Sequence, residues 1–435
     1  MATIRNWARN ESCDPVAVHR PASTTEVAEI VGAAAAARRT VKVIGAGHSF
    51  TATAMTDGDL ISLERMNAVL EVDRDTGRVR VQAGITLREL GDALDALGLA
   101  MPNLGDINVQ SIAGAINTGT HGTGREFGNL ATGVVGLELV DGRGEIVRSD
   151  TETDPEVFHT ARVGVGAMGV ITEVTLQCVP AFNLHAVETV GSLADVVADF
   201  DAFTRSADHA EFFWFPGTER ALIKRNRRTD EPARPPSRMA VVRDKYLFEN
   251  VAFGVACRIG RRFPSMAPGI VGRIVDLAEE RELIDRSDRV FASPRKVRFL
   301  EMEYGIPVEA VPEAIERVQA LARSLHHPVM FPVEVRCSAA DDIPLSTGHG
   351  RANGWIAVHQ YVGMPYEHYF RCVETIMDDY GGRPHWGKLH FQTAESLAER
   401  YPEWDAAMSM RARLDPTGTF RNTYLDRVLG PVVLR

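Results

Sequence analysis

Val41-Lys42-Val43-Ile44-Gly45-Ala46-Gly47-His48-Ser49-Phe50 carries an apolar strand straight into two glycines, followed at once by a histidine and a serine. Glycine has no Cβ, so backbone N–H groups there approach a ligand closely. Gly45, Ala46, Gly47 and Ser49 therefore form a candidate pyrophosphate cradle, and His48 is a nucleophile placed to tether what lies in it. A Rossmann turn opens the same way, and Glu64 stands at about the spacing of a ribose-binding acid. Phe50, however, occupies the place of the third glycine. Ser49 to Gly58 also reads as loop rather than as the helix such a turn needs.

Two further glycine segments compete for a nucleotide. Ser111 to Gly124 (SIAGAINTGTHGTG) is almost wholly small, with backbone donors and hydroxyls dense enough for an extended anion. A tight packing seam is the alternative reading. Gly164-Val165-Gly166-Ala167-Met168-Gly169 does match GxGxxG, but a helix-like stretch precedes it and a strand follows, the reverse of a Rossmann site. Three such segments with none in Rossmann order argue for a different nucleotide fold and against an NAD dehydrogenase.

The 435 residues suggest two domains, and 45% hydrophobic with 24% charged residues is ordinary globular composition. A net charge of −10 makes nucleic acid a poor partner. No apolar run is long enough to span a bilayer, and the first residues carry no secretion signal. Five scattered cysteines without a CxxC read as reduced thiols in a cytoplasmic protein, with no zinc site. His385 and His390 have no third ligand at sensible spacing, so no metal is expected.

Elements follow from period and caps. A helix runs from about Thr24 to Arg38, and strands are expected at Thr40–Ile44 and Leu60–Leu63. Hairpins centre on Asp75-Thr76-Gly77 and on 141–144, a helix covers Thr86–Leu97, and a strand covers Val170–Gln177. Beyond Cys178, Arg225 to Ser237 reads as a proline-rich loop and Tyr246 to Ala278 as mostly helical. Strands are expected at 297–304, 330–338 and 355–361, with helices at 311–325 and 366–380. Strands and helices mix without a βαβ repeat, so the fold class is α+β.

Here the chain resembles a known family. Gly45 to Ser49 followed by Thr56-Asp57-Gly58 is similar to the flavin-anchoring segment of the aldonolactone oxidoreductases, within the vanillyl-alcohol-oxidase type of FAD proteins. Segments 111–124 and 164–171, His385-Trp386-Gly387-Lys388, and Asp415-Pro416 through Phe420 with Asn422 match the same family in order. The resemblance implies a two-part FAD-binding domain of that type over 1–178, an α+β substrate (cap) domain over 179–395, and a C-terminal segment, 396–435, returning to the FAD domain. It implies FAD held by Gly45, Ala46, Gly47, His48, Ser49, Ser111, Gly114, Thr118, Gly119, His121, Gly122, Gly124, Gly169 and Ile171. It also implies a covalent bond from His48 to the flavin 8α-methyl. The alternative for His48 is a ring that only packs beside the isoalloxazine.

Met330 to Arg336 reads as a strand on which Glu334 and Arg336 share one face, with Val333 and Val335 on the other. An acid and an arginine on a buried strand pair with each other or meet a polar ligand. The resemblance puts them in the substrate pocket, where Glu334 accepts substrate hydroxyls and Arg336 favours negative charge. Resemblance to the alditol oxidases places Lys388 at the reacting hydroxyl, and a lysine in a dry pocket beside an arginine is expected to have a lowered pKa and to accept a proton. A solvated surface lysine is the ordinary alternative. Ser111 touches flavin and substrate or merely caps a helix.

The activity implied is FAD-dependent oxidation of the C2 hydroxyl of an aldono-1,4-lactone, gulono- or arabinono-lactone, to an ascorbate-type product. The electrons then pass to oxygen or another acceptor, and residues such as Ala113 shape the space that decides between them. An alditol oxidase acting on a polyol shares fold and residues, and a non-catalytic flavin-binding protein would share only the cleft.

Overall fold

The computed structural model describes residues 3–237, 252–276, 280–293 and 295–432. A small parallel sheet begins the fold: β1 (Ala17–His19), β2 (Val41–Ile44) and β3 (Asp59–Ser62), in the order β1-β3-β2. Helix α1 (Thr24–Ala36) connects β1 to β2. Ser23 caps it, its Oγ accepting the Glu26 N–H at 3.2 Å, and Val27, Val31 and Ala34 form its buried stripe. It stops two residues short of the expected end, because Arg38 takes the left-handed φ of 55°.

An antiparallel five-stranded sheet packs beside it. Its strands are β4 (Val69–Asp73), β5 (Arg78–Gln82), β6 (Val134–Val140), β7 (Ile146–Asp150) and β8 (Val170–Gln177), in the order β7-β6-β8-β5-β4. Both expected hairpins are present. Helix α2 (Leu87–Ala96) opens on a reciprocal Thr86/Glu89 capping box. The short helix α3 (Ile112–Asn117) carries the start of the second glycine segment.

The third sheet has eight strands. They are β9 (Asn183–Ser192), β10 (His209–Trp214), β11 (Arg220–Thr229), β12 (Arg281–Arg286), β13 (Phe299–Pro307), β14 (Val333–Ser338), β15 (Asn353–Tyr361) and β16 (Arg383–Pro384), ordered β12-β9-β11-β10-β14-β15-β13-β16. The expected loop over Arg225–Ser237 is corrected in its first part; residues 230–237 do lie outside the strands. Arg225 to Thr229 is strand, paired with β9 throughout and partly with β10, because backbone pairing on both sides outweighs the polar side chains. Helices α4 (Phe253–Arg262) and α5 (Ala267–Asp276) break at Pro264. Residues 246–251 and 277–278 of that helical expectation lie outside the described residues.

Alternation on this sheet positions the site. Leu300, Met302 and Tyr304, Val333 and Val335, Ile356 and Val358, Phe212 and Trp214 are buried on one face. They share a core with Val311, Ala314, Ile315 and Val318 of α6 (Val311–Ser324) and with Phe370, Val373 and Met377 of α7 (Glu367–Asp378). Each large apolar side chain removed from water there contributes about 1.5–3 kcal/mol. The opposite face carries Glu211, Lys224, Glu301, Glu303, Glu334, Arg336 and His359, nearly all of them buried. Cross-strand pairs set that face: Glu301 opposite His359, Glu211 opposite Lys224, Arg336 opposite Trp355. The last helices, α8 (Trp404–Leu414) and α9 (Thr423–Leu429), join the core of the first two sheets through Trp404, Ala407, Leu414, Leu425 and Val428.

Candidate active site

The β2 strand runs out into a long cleft of about 940 Å³ of empty space, its open mouth included. Gly45, Ala46, Gly47, His48 and Ser49 line one wall; Ser111, Gly114 and Thr118 of the α3 turn line another; Gly169 and Ile171 line a third. Space is tight where the walls meet. A Cβ on Gly45 would stand 2.6 Å from Ser111 Oγ, and Gly47 holds φ at +66°, a conformation costly for other residues. Ser111 Oγ also accepts the Gly114 N–H at 3.3 Å, so it is a helix cap and a lining residue at once. A cleft walled by backbone and small residues from three glycine segments fits an extended dinucleotide whose phosphates need N–H donors.

The C-terminal motif holds this cleft in shape. Asp415 accepts the N–H groups of Thr419 and Phe420 at 2.7 and 2.8 Å. Asn422 donates to the carbonyls of Ala52 and Met55, both at 2.9 Å. Lys42, which the sequence reading passed over, is fully buried among the lining residues; its Nζ donates to the Gly166 and Phe420 carbonyls at 2.8 and 3.2 Å. Burial, reinforced by Arg411, lowers its pKa to about 7.

At the other end of the cleft the His48 ring stacks on Trp7, centroids 5.1 Å apart. Burial first, then repulsion from Lys388, lowers its pKa to about 4. The imidazole is therefore neutral at pH 7, with a lone pair available to an electrophilic carbon. This end abuts the charged face of the large sheet. The Phe50 N–H donates to the Gly387 carbonyl at 2.7 Å, and Lys388 Nζ lies 5.3 Å from the centre of the Phe50 ring.

Glu334 and Arg336 do share that face, and they form a direct ion pair. Arg336 also meets Glu211 at 2.9 Å and Asp106 at 3.6 Å, and Asp106 in turn pairs with Arg295. Burial raises the Glu334 pKa to about 7, with Asp106 and Glu211 adding to the rise and Arg336 opposing it. Glu334 is thus the carboxyl poised near neutrality. Asp106 and Glu211 stay ionised, because arginine and lysine neighbours outweigh their burial.

Lys388 requires a correction. Its pKa is raised, not lowered: burial pulls it down, but the carboxylates of Glu301 and then Glu303 outweigh burial. Glu301 Oε2 lies 2.5 Å from its Nζ. Burial raises the Glu301 pKa, yet Lys388 and then His359 win and hold it at about 2. Lys388 is thus a held ammonium and not a free base. It is mostly buried, which removes the solvated-surface alternative.

The structure does not bring Gly119, His121, Gly122 and Gly124 to the cleft wall. His121 stacks on Trp355 at 3.6 Å, donates through Nδ1 to the Gly122 carbonyl at 2.8 Å and meets Glu303 at 3.3 Å. The Gly124 N–H donates to the Cys337 carbonyl at 2.9 Å, and a Cβ on Gly122 would stand 2.3 Å from the Leu104 carbonyl oxygen. His121 and Gly124 thus join this half of the segment to the large sheet. His390 turns away to the Tyr424 hydroxyl at 2.9 Å. His385 does find two partners that spacing could not reveal: donor atoms of His121, Glu303 and His385 lie within 4.8 Å of one another.

Sequence reasoning missed Asp106, Glu211, Arg295, Glu301, Glu303 and His359. One signal was available: Leu300-Glu301-Met302-Glu303-Tyr304 alternates acid with apolar at the period of a strand.

Comparison with known proteins agrees with this geometry. The D-arabinono-1,4-lactone oxidase family profile matches residues 174–428, and an FAD binding domain profile matches 15–150. An L-gulono-1,4-lactone dehydrogenase of Mycobacterium tuberculosis is 47% identical over 98% of this chain and 99% of its own length. The L-gulonolactone oxidase of Bos taurus is 34% identical over 98% of each. Among solved structures, a solvent-stable cholesterol oxidase superposes with a TM-score of 0.85 over 99% of this chain and 97% of its own, at 20% identity, a likeness of fold. Fold, cleft and both profiles place the chain in the D-arabinono-1,4-lactone oxidase family, built on an FAD-binding domain.

Proposed function

We propose that this protein oxidises the C2 hydroxyl of an aldono-1,4-lactone, gulono- or arabinono-lactone, to an ascorbate-type product. Relatives bearing the names of gulonolactone and arabinonolactone enzymes support the substrate class. The observation that carries the mechanism is Glu334, with its pKa at about 7, paired with Arg336 on the sheet face that also carries Glu301, the partner of Lys388, and that meets the His48 end of the cleft.

Bound FAD supplies the two-electron acceptor. The cleft residues 45–49, Ser111, Gly114, Thr118, Gly169 and Ile171 hold it through backbone donors, with 1–178 and 396–435 as the cofactor module and 179–395 as the substrate module. His48, neutral at pH 7, forms the covalent tether. His121 and Gly124 act from behind, fixing the cofactor module against the large sheet, and Gly119 and Gly122 shape the chain that carries them. Glu334 takes the proton of the C2 hydroxyl, since its ionised form is present at pH 7 and is basic enough to accept it. Arg336 aims the Glu334 carboxylate and stabilises negative charge as it develops on the substrate oxygen. Lys388, kept charged by Glu301, donates a hydrogen bond to the same oxygen, and Ser111 reaches substrate from the cleft wall. The electrons leave to oxygen or another acceptor. The five free thiols support a reducing compartment, the cytoplasm.

Dye-coupled turnover tests this reading. L-Gulono- and D-arabinono-1,4-lactone should be oxidised far faster than xylitol or sorbitol; polyols outrunning every lactone would reassign the site to alditols.

A further inference from the structure

Among the described residues eight large apolar side chains are exposed, and four of them sit together: Val255 at 43%, Ile259 at 37%, Phe263 at 50% and Met266 at 53%. Their spacing of four, four and three residues puts them on one side of α4 and the turn that follows it. The other four, Val16, Val18, Leu70 and Ile146, lie on other elements. Isolated exposed apolar residues are ordinary, but a stripe of them is not.

The other side of the hairpin is used for docking. Gly254, Cys257 and Gly260 of α4 and Ala267, Val271 and Val275 along α5 are buried. Gly260 lies so close to its neighbour that a Cβ would stand 2.5 Å from Met330 Sδ, and Phe253 meets Phe331 edge to face at 4.9 Å. The hairpin is therefore seated on the substrate module by one side of each helix, small at Gly254, Cys257 and Gly260, while Val255, Ile259, Phe263 and Met266 are turned outward.

Charge marks the occupant. Arg258, Arg261, Arg262 and Arg273 are exposed on the same hairpin, against the single acid Asp276, in a chain whose net charge is −10. A local excess of arginine around an exposed apolar stripe complements a surface that is anionic outside and apolar just beneath.

We propose that the hairpin 253–276 docks the protein on an anionic lipid surface, with Ile259, Phe263 and Met266 entering the headgroup boundary and the arginines meeting lipid phosphates. The protein lies on the bilayer and does not cross it; no described helix is long and apolar enough to span one.

Flotation of the flavin-loaded protein tests this, using phosphatidylcholine vesicles with about a third phosphatidylglycerol against pure phosphatidylcholine vesicles. Wild type should float with the anionic vesicles and stay behind with the neutral ones. Phe263→Asp with Met266→Asp should weaken flotation at least about tenfold by removing the apolar insertion. Arg258→Gln with Arg262→Gln should weaken it roughly 25-fold, roughly fivefold per basic residue near an anionic surface. All four positions are exposed and outside the catalytic machinery, so lactone turnover with a soluble dye should stay as in wild type and certify the fold. Wild type that ignores anionic vesicles, or an apolar variant that floats as well as wild type, would overturn the proposal. So would a wild-type dimer that the Asp variants convert to monomer, which would make the stripe a contact between copies of this chain.

Discussion

Glu334 should set the acid limb of activity. Its carboxyl moves from 4.5 to about 7 because burial, with Asp106 and Glu211 nearby, works against its ionised form and Arg336 recovers only part. At about 1.36 kcal/mol per unit, that shift is roughly 3 kcal/mol held against the carboxylate. The proton acceptor must be ionised, so about one molecule in eleven is competent one unit below this pKa and about ten in eleven one unit above. kcat/KM, which reports the free enzyme, should therefore rise about tenfold from pH 6 to pH 8. Glu334→Gln should remove the limb and lower kcat/KM by roughly 10²–10⁴-fold, the usual worth of a general base. Glu211→Gln should move the limb to lower pH, because it removes a carboxylate that raises Glu334 and leaves Arg336 freer to pair with it. The stability sign is opposite: a raised carboxyl favours the fold fully below its unfolded pKa and loses that contribution as pH rises through about 7. A profile flat from pH 5.5 to 8.5, or a limb that survives in Glu334→Gln at near wild-type rates, would refute the assignment.

Acid denaturation of wild type should leave flavin fluorescence on the chain, while His48→Ala should release it; free flavin from wild type would reduce His48 to a neighbour. Gly45→Ala places a methyl group 2.6 Å from Ser111 Oγ, so flavin content after purification should fall severalfold while far-ultraviolet circular dichroism stays unchanged. Glu301→Gln removes the carboxylate 2.5 Å from Lys388, so the alkaline limb of kcat/KM should move to lower pH; an unmoved limb would show that Lys388 does not depend on this partner. His209 is buried between Phe127 and Phe291, and burial lowers its pKa to about 4. A depressed histidine favours the fold above its unfolded pKa of 6.5 and loses that as pH falls towards 4, by about 3 kcal/mol at most. The urea midpoint should drop between pH 7 and pH 4.5, and drop less in His209→Gln.

What was legible in the sequence was local. The apolar run into Gly45 and Gly47 exposed the cleft, and Val333-Glu334-Val335-Arg336 exposed a two-faced strand. What was hidden depended on distant partners. Glu301 alternates with apolar neighbours just as Glu334 does, but nothing near it says that its face is covered by another module. Lys388 was expected to be a base because its flanks look dry; the ion pair that keeps it charged comes from a strand far back in the chain. Arg225 to Thr229 reads as the start of a polar loop from its own residues, and only pairing with β9, from a distant part of the chain, makes it strand. His121 belongs to a segment whose first half walls the cleft and whose second half is a seam, a division set by the sheet above it rather than by its own composition.

The most direct test of the whole account is anaerobic mixing of the purified, flavin-loaded protein with L-gulono-1,4-lactone. The account predicts loss of the oxidised flavin's visible absorption within one turnover, and no such loss with xylitol. A flavin that stays oxidised with every aldono-1,4-lactone offered would contradict it.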